Sequence, residues 1–216
     1  MKFKGVIFDL DGTLLDTIDD LADTMNQVLE GYGHLTHTVD KYKYFVGDGM
    51  NNLVRRALPQ EITSESLIEE AFQRMKEHYS LNWVNKSKPY PGISELLDFL
   101  QENNIKIAVL SNKAHNFTVE MVEKLLPKWK FSVVYGERDG IPRKPDPAGA
   151  LEIANIWGIT PENILYLGDT NTDMKTAVNS SMYPVGVLWG FREKDELILH
   201  GAKTVIANPM ELLQLL

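Results

Sequence analysis

The chain has 216 residues, 44% hydrophobic and 24% charged, an ordinary globular composition that excludes whole-chain disorder and allows one sizeable core plus a smaller module. A formal net charge of −8 excludes a general nucleic-acid binder, which needs excess Lys and Arg, so an anionic ligand would require a local positive centre. Cysteine is absent, which rules out disulfides and thiolate metal sites and fits a reducing, cytoplasmic location. Met1-Lys2-Phe3-Lys4-Gly5 leads at once into Val6-Ile7-Phe8, a short apolar run that stops at acidic and glycine residues, the pattern of a strand buried on both faces. A core strand so early leaves no room for a signal peptide, and no apolar run approaches the ~18 residues of a membrane span.

From Thr17 to Trp83 the pattern is helical. Ile18, Leu21, Ala22, Met25, Val28 and Leu29 are helically spaced, and a second helical stretch runs from about Ser64 to Leu81. The turn-rich Asn85-Lys86-Ser87-Lys88-Pro89-Tyr90-Pro91-Gly92 bounds this insertion. Beyond it, apolar runs at Ile105 to Leu110, Ile164 to Leu167 and Val185 to Leu188 alternate with amphipathic stretches such as Ile93, Leu96, Leu97 and Leu100. Strands alternating with helices imply a parallel sheet. Asp146-Pro147 and Asn208-Pro209-Met210-Glu211 carry helix-start signals. The expected fold class is α/β: a Rossmann-like parallel sheet flanked by helices, made of residues 1–16 and 84–216, with a helical cap of residues 17–83 inserted after the first strand.

Asp9-Leu10-Asp11-Gly12-Thr13 follows the first strand directly, at the end where open α/β sheets bind ligands. Carboxylates two apart in an extended chain point the same general way, and their repulsion calls for a cation, a proton or solvent. A divalent metal would serve.

These residues resemble the first motif of the haloacid dehalogenase-like phosphatases, and three further stretches agree in order: Leu110-Ser111-Asn112-Lys113, Lys144-Pro145-Asp146-Pro147, and Gly168-Asp169-Thr170-Asn171-Thr172-Asp173. The resemblance implies phosphoryl transfer, in which catalysis is chiefly alignment and charge neutralisation. Asp9 would be the nucleophile, forming an aspartyl phosphate, and Asp11 the general acid and base, with its side chain off the metal and its backbone carbonyl a possible ligand. Asp169 would complete a Mg2+ shell, with Asp173 a ligand or a support for one. Ser111 would donate its hydroxyl, and Asn112 a backbone N–H at a helix start, to the phosphoryl oxygens. Lys144 would supply fixed positive charge and hold Asp9 and Asp173. Dehalogenases of the superfamily lack the second Asp of the first motif, so Asp11 favours phosphate chemistry.

In the insertion, Phe45-Val46-Gly47-Asp48-Gly49-Met50 separates two helical patterns and leads to Arg56. The stretch is similar to the specificity segment of phosphoglycolate phosphatases, which implies that Gly47, Asp48, Gly49 and Arg56 face a short, carboxylate-bearing phosphate ester. Trp189-Gly190-Phe191-Arg192 also looks like that subgroup, whereas the family's Asn-Lys-Pro reads Asn112-Lys113-Ala114. The expected partner is a small phosphorylated metabolite, with no nucleic acid or membrane, acting on a monomer or homodimer. A phosphosugar mutase, a pyrophosphatase or a non-catalytic binding protein are the alternatives on the same scaffold. His34 and His37 lack carboxylate or Cys partners in sequence and read as an exposed loop, and His115 as a helix surface position.

Overall fold

The structure is a computed structural model and describes residues 2–216. In chain order, β1 (Gly5–Phe8) and the two-residue β2 (Leu15–Asp16) precede four helices, α1 (Ile18–Gly31), α2 (Val39–Phe45), α3 (Met50–Ala57) and α4 (Glu65–Asn82). The two-residue β3 (Lys88–Pro89) comes next, then α5 (Ile93–Glu102), β4 (Lys106–Ala114), α6 (His115–Leu125), β5 (Val133–Glu137) and α7 (Ala148–Trp157). The chain ends with β6 (Ile164–Gly168), α8 (Asn171–Asn179), β7 (Tyr183–Val187), α9 (Lys194–Leu199), β8 (Thr204–Ile206) and a short 3-10 helix (Pro209–Gln214). Two compact units result, one of residues 1–15 and 89–216, the other of residues 16–88. No helix among the described residues is long and apolar enough to cross a membrane.

The first unit holds a six-stranded sheet in the order β5-β4-β1-β6-β7-β8, with every pairing parallel. β1 and β6 lie centrally and are buried at every residue, as continuous apolar runs require. α5 buries Ile93, Leu96, Leu97 and Leu100, the four residues that share a face. Two sequence expectations change. Asp146 is not the helix cap: its Oδ1 accepts from the Ala148 N–H at 2.9 Å, but the cap position falls on Pro147 and α7 starts at Ala148. Asn208 acts as a cap, its Oδ1 accepting from the Met210 N–H, but the segment it opens is a 3-10 turn.

The second unit packs α1 against α4, burying Leu21, Met25, Val28 and Leu29 on one and Ile68, Ala71, Met75 and Tyr79 on the other. The buried Asp20 closes the unit. Its carboxylate accepts the backbone N–H groups of Lys86 and Ser87 and the Ser87 hydroxyl, at 2.7–3.0 Å. Asp20→Ala leaves those donors without an acceptor and is expected to cost about 3 kcal/mol, read as a lower urea midpoint with an unchanged slope. His37 is also half-buried rather than exposed. Asn26 brackets its backbone, its Nε2 lies 2.8 Å from the Ala57 carbonyl, and its ring meets Tyr42 and Phe45 edge-on. The residues flanking His37 are polar, and the contacts that bury it come from three helices, so local sequence carried no sign of them.

Candidate active site

Sheet register sets the site. Phe8 pairs with Val109 on one side and Leu167 on the other, so Asp9 and Asp169 emerge at the carboxyl ends of β1 and β6, with Ser111 of β4 near their level. The Asp9 N–H donates to the Leu167 carbonyl at 2.9 Å, pinning the backbone at the point where the chain leaves β1. Asp9, Asp169 and Asp173 are buried and bring carboxylate oxygens within 4.8 Å of one another. The Lys144 ammonium lies 2.8 Å from Asp9 Oδ1 and 2.7 Å from Asp173 Oδ1.

Three buried carboxylates face one ammonium, and their titration reflects the imbalance. Burial, then the charge of Asp173, pushes the Asp9 carboxyl from its ordinary 3.8 up to about 7, against the pull of Lys144. Asp169 is held well above its ordinary range by burial and by Asp173 and Asp9, although the Phe191 N–H and the Thr13 hydroxyl oppose this. Burial by itself would lower Lys144, but Asp173 and Asp9 outweigh it and hold the ammonium well above its ordinary value. Asp9 Oδ1 is buried, and its partner is the Lys144 ammonium at 2.8 Å. An all-carboxylate oxygen set with excess negative charge fits a hard divalent cation, and this buried cluster can hold one.

Each carboxylate is oriented by its own partners. Asp173 sits at the third position of α8, where Oδ2 accepts from the Thr170 N–H at 3.1 Å and the Thr170 hydroxyl at 2.5 Å in a capping box. Oδ1 is thereby left for Lys144. Asp169 receives the Thr13 hydroxyl at 3.1 Å on Oδ1 and the Phe191 N–H at 2.8 Å on Oδ2. That loop comes so close because Gly190 and Gly12 carry no side chains: a Cβ on either would stand 2.3 Å from Asp169. Gly12 also has φ +88°, which only glycine adopts without strain. Thr13 and the Trp189-Gly190-Phe191 loop were therefore legible as motif or lineage residues but not as supports for Asp169.

The Asp11 side chain stays outside the carboxylate cluster. Both its oxygens meet the Lys113 ammonium, at 3.0 and 3.2 Å. The second motif departs from expectation in another respect. Ser111 to Ala114 continue β4, and the helix begins only at His115, so Asn112 does not lie at a helix start. Its amide instead clamps the third motif, Nδ2 donating to the Lys144 carbonyl at 3.0 Å and Oδ1 accepting the Lys144 N–H at 2.9 Å. The His115 ring is likewise no free surface group, since its Nδ1 accepts from the Gly136 N–H at 3.2 Å.

Ser111, Asn112 and Lys144 line a small pocket together with Glu137, Arg138 and Arg143. Arg143 is paired with Glu137 and Arg138 with Glu152, so Lys144 remains the cation that serves the carboxylate cluster. In the second unit, Gly47 and Gly49 both take positive φ in the loop between α2 and α3. Arg56 is committed to that loop, donating to Asp48 Oδ2 and, at 3.0 Å, to the Phe45 carbonyl.

A family model described as haloacid dehalogenase-like hydrolase matches residues 6–187. A phosphoglycolate phosphatase of Agrobacterium fabrum is 33% identical over 190 residues, 87% of this chain and 81% of the relative. One of Aquifex aeolicus is 28% identical over 213 residues, covering 99% of this chain and 96% of its own. A crystal structure from Lactobacillus delbrueckii subsp. bulgaricus, provisionally named a phosphoglycolate phosphatase, superposes with a TM-score of 0.91 at 32% identity and covers 98% of this chain and 97% of that one. With a full-length match, a shared fold and the motif residues gathered on one sheet edge, the chain belongs to the haloacid dehalogenase-like hydrolases, in their phosphoglycolate phosphatase-like subgroup.

Proposed function

We propose that this phosphoric monoester hydrolase is magnesium-dependent and cleaves a small phosphate monoester through an aspartyl phosphate on Asp9. The observation that carries the reading is the cluster itself, with Asp9 buried at the end of β1, Asp169 and Asp173 bringing carboxylate oxygens within 4.8 Å and the Lys144 ammonium 2.8 Å away. Positive charge from Lys144 and from a bound cation would keep the Asp9 carboxylate ionised and aligned for attack on phosphorus. As the Asp9 oxygen bonds to phosphorus, the ester P–O bond breaks and Asp11 gives its proton to the departing oxygen. Asp11 then takes a proton from the water that attacks the aspartyl phosphate, releasing phosphate and freeing Asp9. Lys144 and the Ser111 hydroxyl receive the phosphoryl oxygens, and Asn112 acts by fixing the backbone of Lys144. Asp9, Asp169 and Asp173, with the Asp11 carbonyl, would hold the magnesium ion, which supplies positive charge to the carboxylates and the phosphoryl group.

The names of the Agrobacterium and Aquifex relatives support 2-phosphoglycolate as the substrate. Gly47, Asp48, Gly49 and Arg56 would read its organic part. Because Arg56 is tied to Asp48 and Phe45, it would act by shaping the loop, and Arg56→Ala is expected to raise KM about tenfold with kcat nearly unchanged. Purified protein assayed with magnesium against a panel of small phosphate esters should release inorganic phosphate, fastest from 2-phosphoglycolate. An isomerised sugar phosphate without free phosphate would mean a mutase, and no turnover of any ester would end the phosphatase reading.

Metal linkage gives a second check. A carboxyl whose folded pKa lies above its unfolded value stabilises the fold below the unfolded pKa and loses that contribution as pH rises through the folded one. With Asp9 moved from 3.8 to about 7, the metal-free protein should lose stability between those values, and magnesium should restore it where the cluster is ionised. Saturating magnesium is expected to raise Tm by about 5–10 °C near pH 8 and by much less near pH 5.5.

A further inference from the structure

Lys113 takes no part in the chemistry of Asp9, Asp11 and Lys144 so far assigned, yet its side chain is only 6% exposed and its ammonium meets both oxygens of Asp11, whose side chain is 18% exposed. Withdrawing an ammonium from water costs several kcal/mol unless a carboxylate receives it. The acidic groups of the site are thus divided between two lysines, Lys144 on Asp9 and Asp173, and Lys113 on Asp11. The backbone on each side of the second pair is already held. The Lys113 N–H donates to Ser111 Oγ at 3.2 Å, and its carbonyl accepts the Thr118 hydroxyl at 3.3 Å. Around Asp11, the N–H groups of Leu14 and Leu15 return to the Leu10 carbonyl at 3.0 and 2.9 Å, and the Gly12 N–H donates to the Leu15 carbonyl at 2.9 Å. The Asp11 side chain is met on both oxygens by Lys113, which thereby constrains its torsion.

We propose that Lys113 is a positioning residue that aims the Asp11 carboxyl at the leaving oxygen of the substrate. The inference rests on the reading of Asp11 as the general acid. Lys113 keeps its three protons throughout; Asp11, a carboxylate in the resting ion pair, takes up a proton from solvent and gives it to the oxygen released as the ester P–O bond breaks. The contact also ties proton transfer to phosphoryl binding, because Ser111 and Lys113 are two residues apart on one strand and joined by a hydrogen bond.

The test uses two esters. kcat/KM covers every step through departure of the alcohol, and so includes the proton donation by Asp11. An alkyl phosphate, the best in the substrate panel, needs that proton, whereas the leaving group of 4-nitrophenyl phosphate departs without it. Lys113→Met and Lys113→Gln should lose about 100-fold in kcat/KM on the alkyl ester and about threefold or less on the aryl ester, with Lys113→Arg recovering most of the alkyl activity. Any unfolded fraction lowers both rates by one factor, so the ratio of the two remains readable. Equal losses on both esters, or an unchanged alkyl rate, overturn the proposal. Asp11→Asn measured with the same pair separates the two readings: if it shows no preference for the aryl ester, Asp11 is not the acid and the failure lies there. A wild-type protein inactive on both esters would instead count against the phosphatase reading.

Discussion

Replacing Asp9 with asparagine is expected to lower turnover about 10⁴-fold or more, and to abolish transfer of labelled phosphate to the protein in an acid-quenched single turnover. Asparagine matches aspartate in shape, and the backbone position is fixed by the N–H bond to the Leu167 carbonyl, so the loss would report chemistry rather than misfolding. The same variant carries a stability signature of opposite sign. In the wild-type protein the Asp9 carboxyl, raised to about 7, stabilises the metal-free fold at low pH and withdraws that contribution as it ionises among Asp169 and Asp173. An amide does not ionise, so metal-free Asp9→Asn should be more stable than wild type near pH 8, by a few kcal/mol, and should lose its response to added magnesium. Retention of full turnover would remove Asp9 from the role of nucleophile.

Lys144→Met should cost both activity and stability. The side chain is buried and meets two carboxylates, at 2.8 and 2.7 Å, and a thioether of similar length fills the space while leaving Asp9, Asp169 and Asp173 with no lysine between them. Removing one member of a buried ion-pair network costs about 3–5 kcal/mol, chiefly through the charge left unpaired. Because those carboxylates can take up protons, the penalty should be larger near pH 8 than near pH 5.5, and urea titrations at the two values would show it. Turnover should fall about 10³-fold, since the cation that neutralises the transferring phosphoryl group is gone. An unchanged urea midpoint would mean that the three carboxylates do not depend on Lys144 for charge balance.

The strands that could be read from the sequence are those buried on both faces. β1, β4, β6 and β7 each carry a short apolar run because neighbours cover them on each side. β5 and β8 are less legible because they are the edge strands: their exposure is mixed, and Val133-Val134-Tyr135 and Val205-Ile206 are short apolar pieces among polar residues. The helix start expected at Asn112 is displaced on similar grounds, because β4 runs on past a bulge to Ala114, where it pairs with Glu137 of that same unmarked edge strand.

For the site, residue type and place along the chain pointed to Asp9 and Asp11, at the end of a buried strand, while Ser111, Lys144, Asp169 and Asp173 were picked out by the resemblance of the ordered motifs to the family's. Which partner each side chain takes was decided by tertiary structure alone. Lys113 reaches Asp11 across 102 positions, Asn112 grips Lys144 across 32, and Thr13 supports Asp169 across 156. Local pattern specifies how a segment folds and which end of a strand it occupies. Hydrogen bonds and ion pairs form between whatever polar groups that folding carries within about 3 Å of one another, and no spacing along the chain encodes that distance.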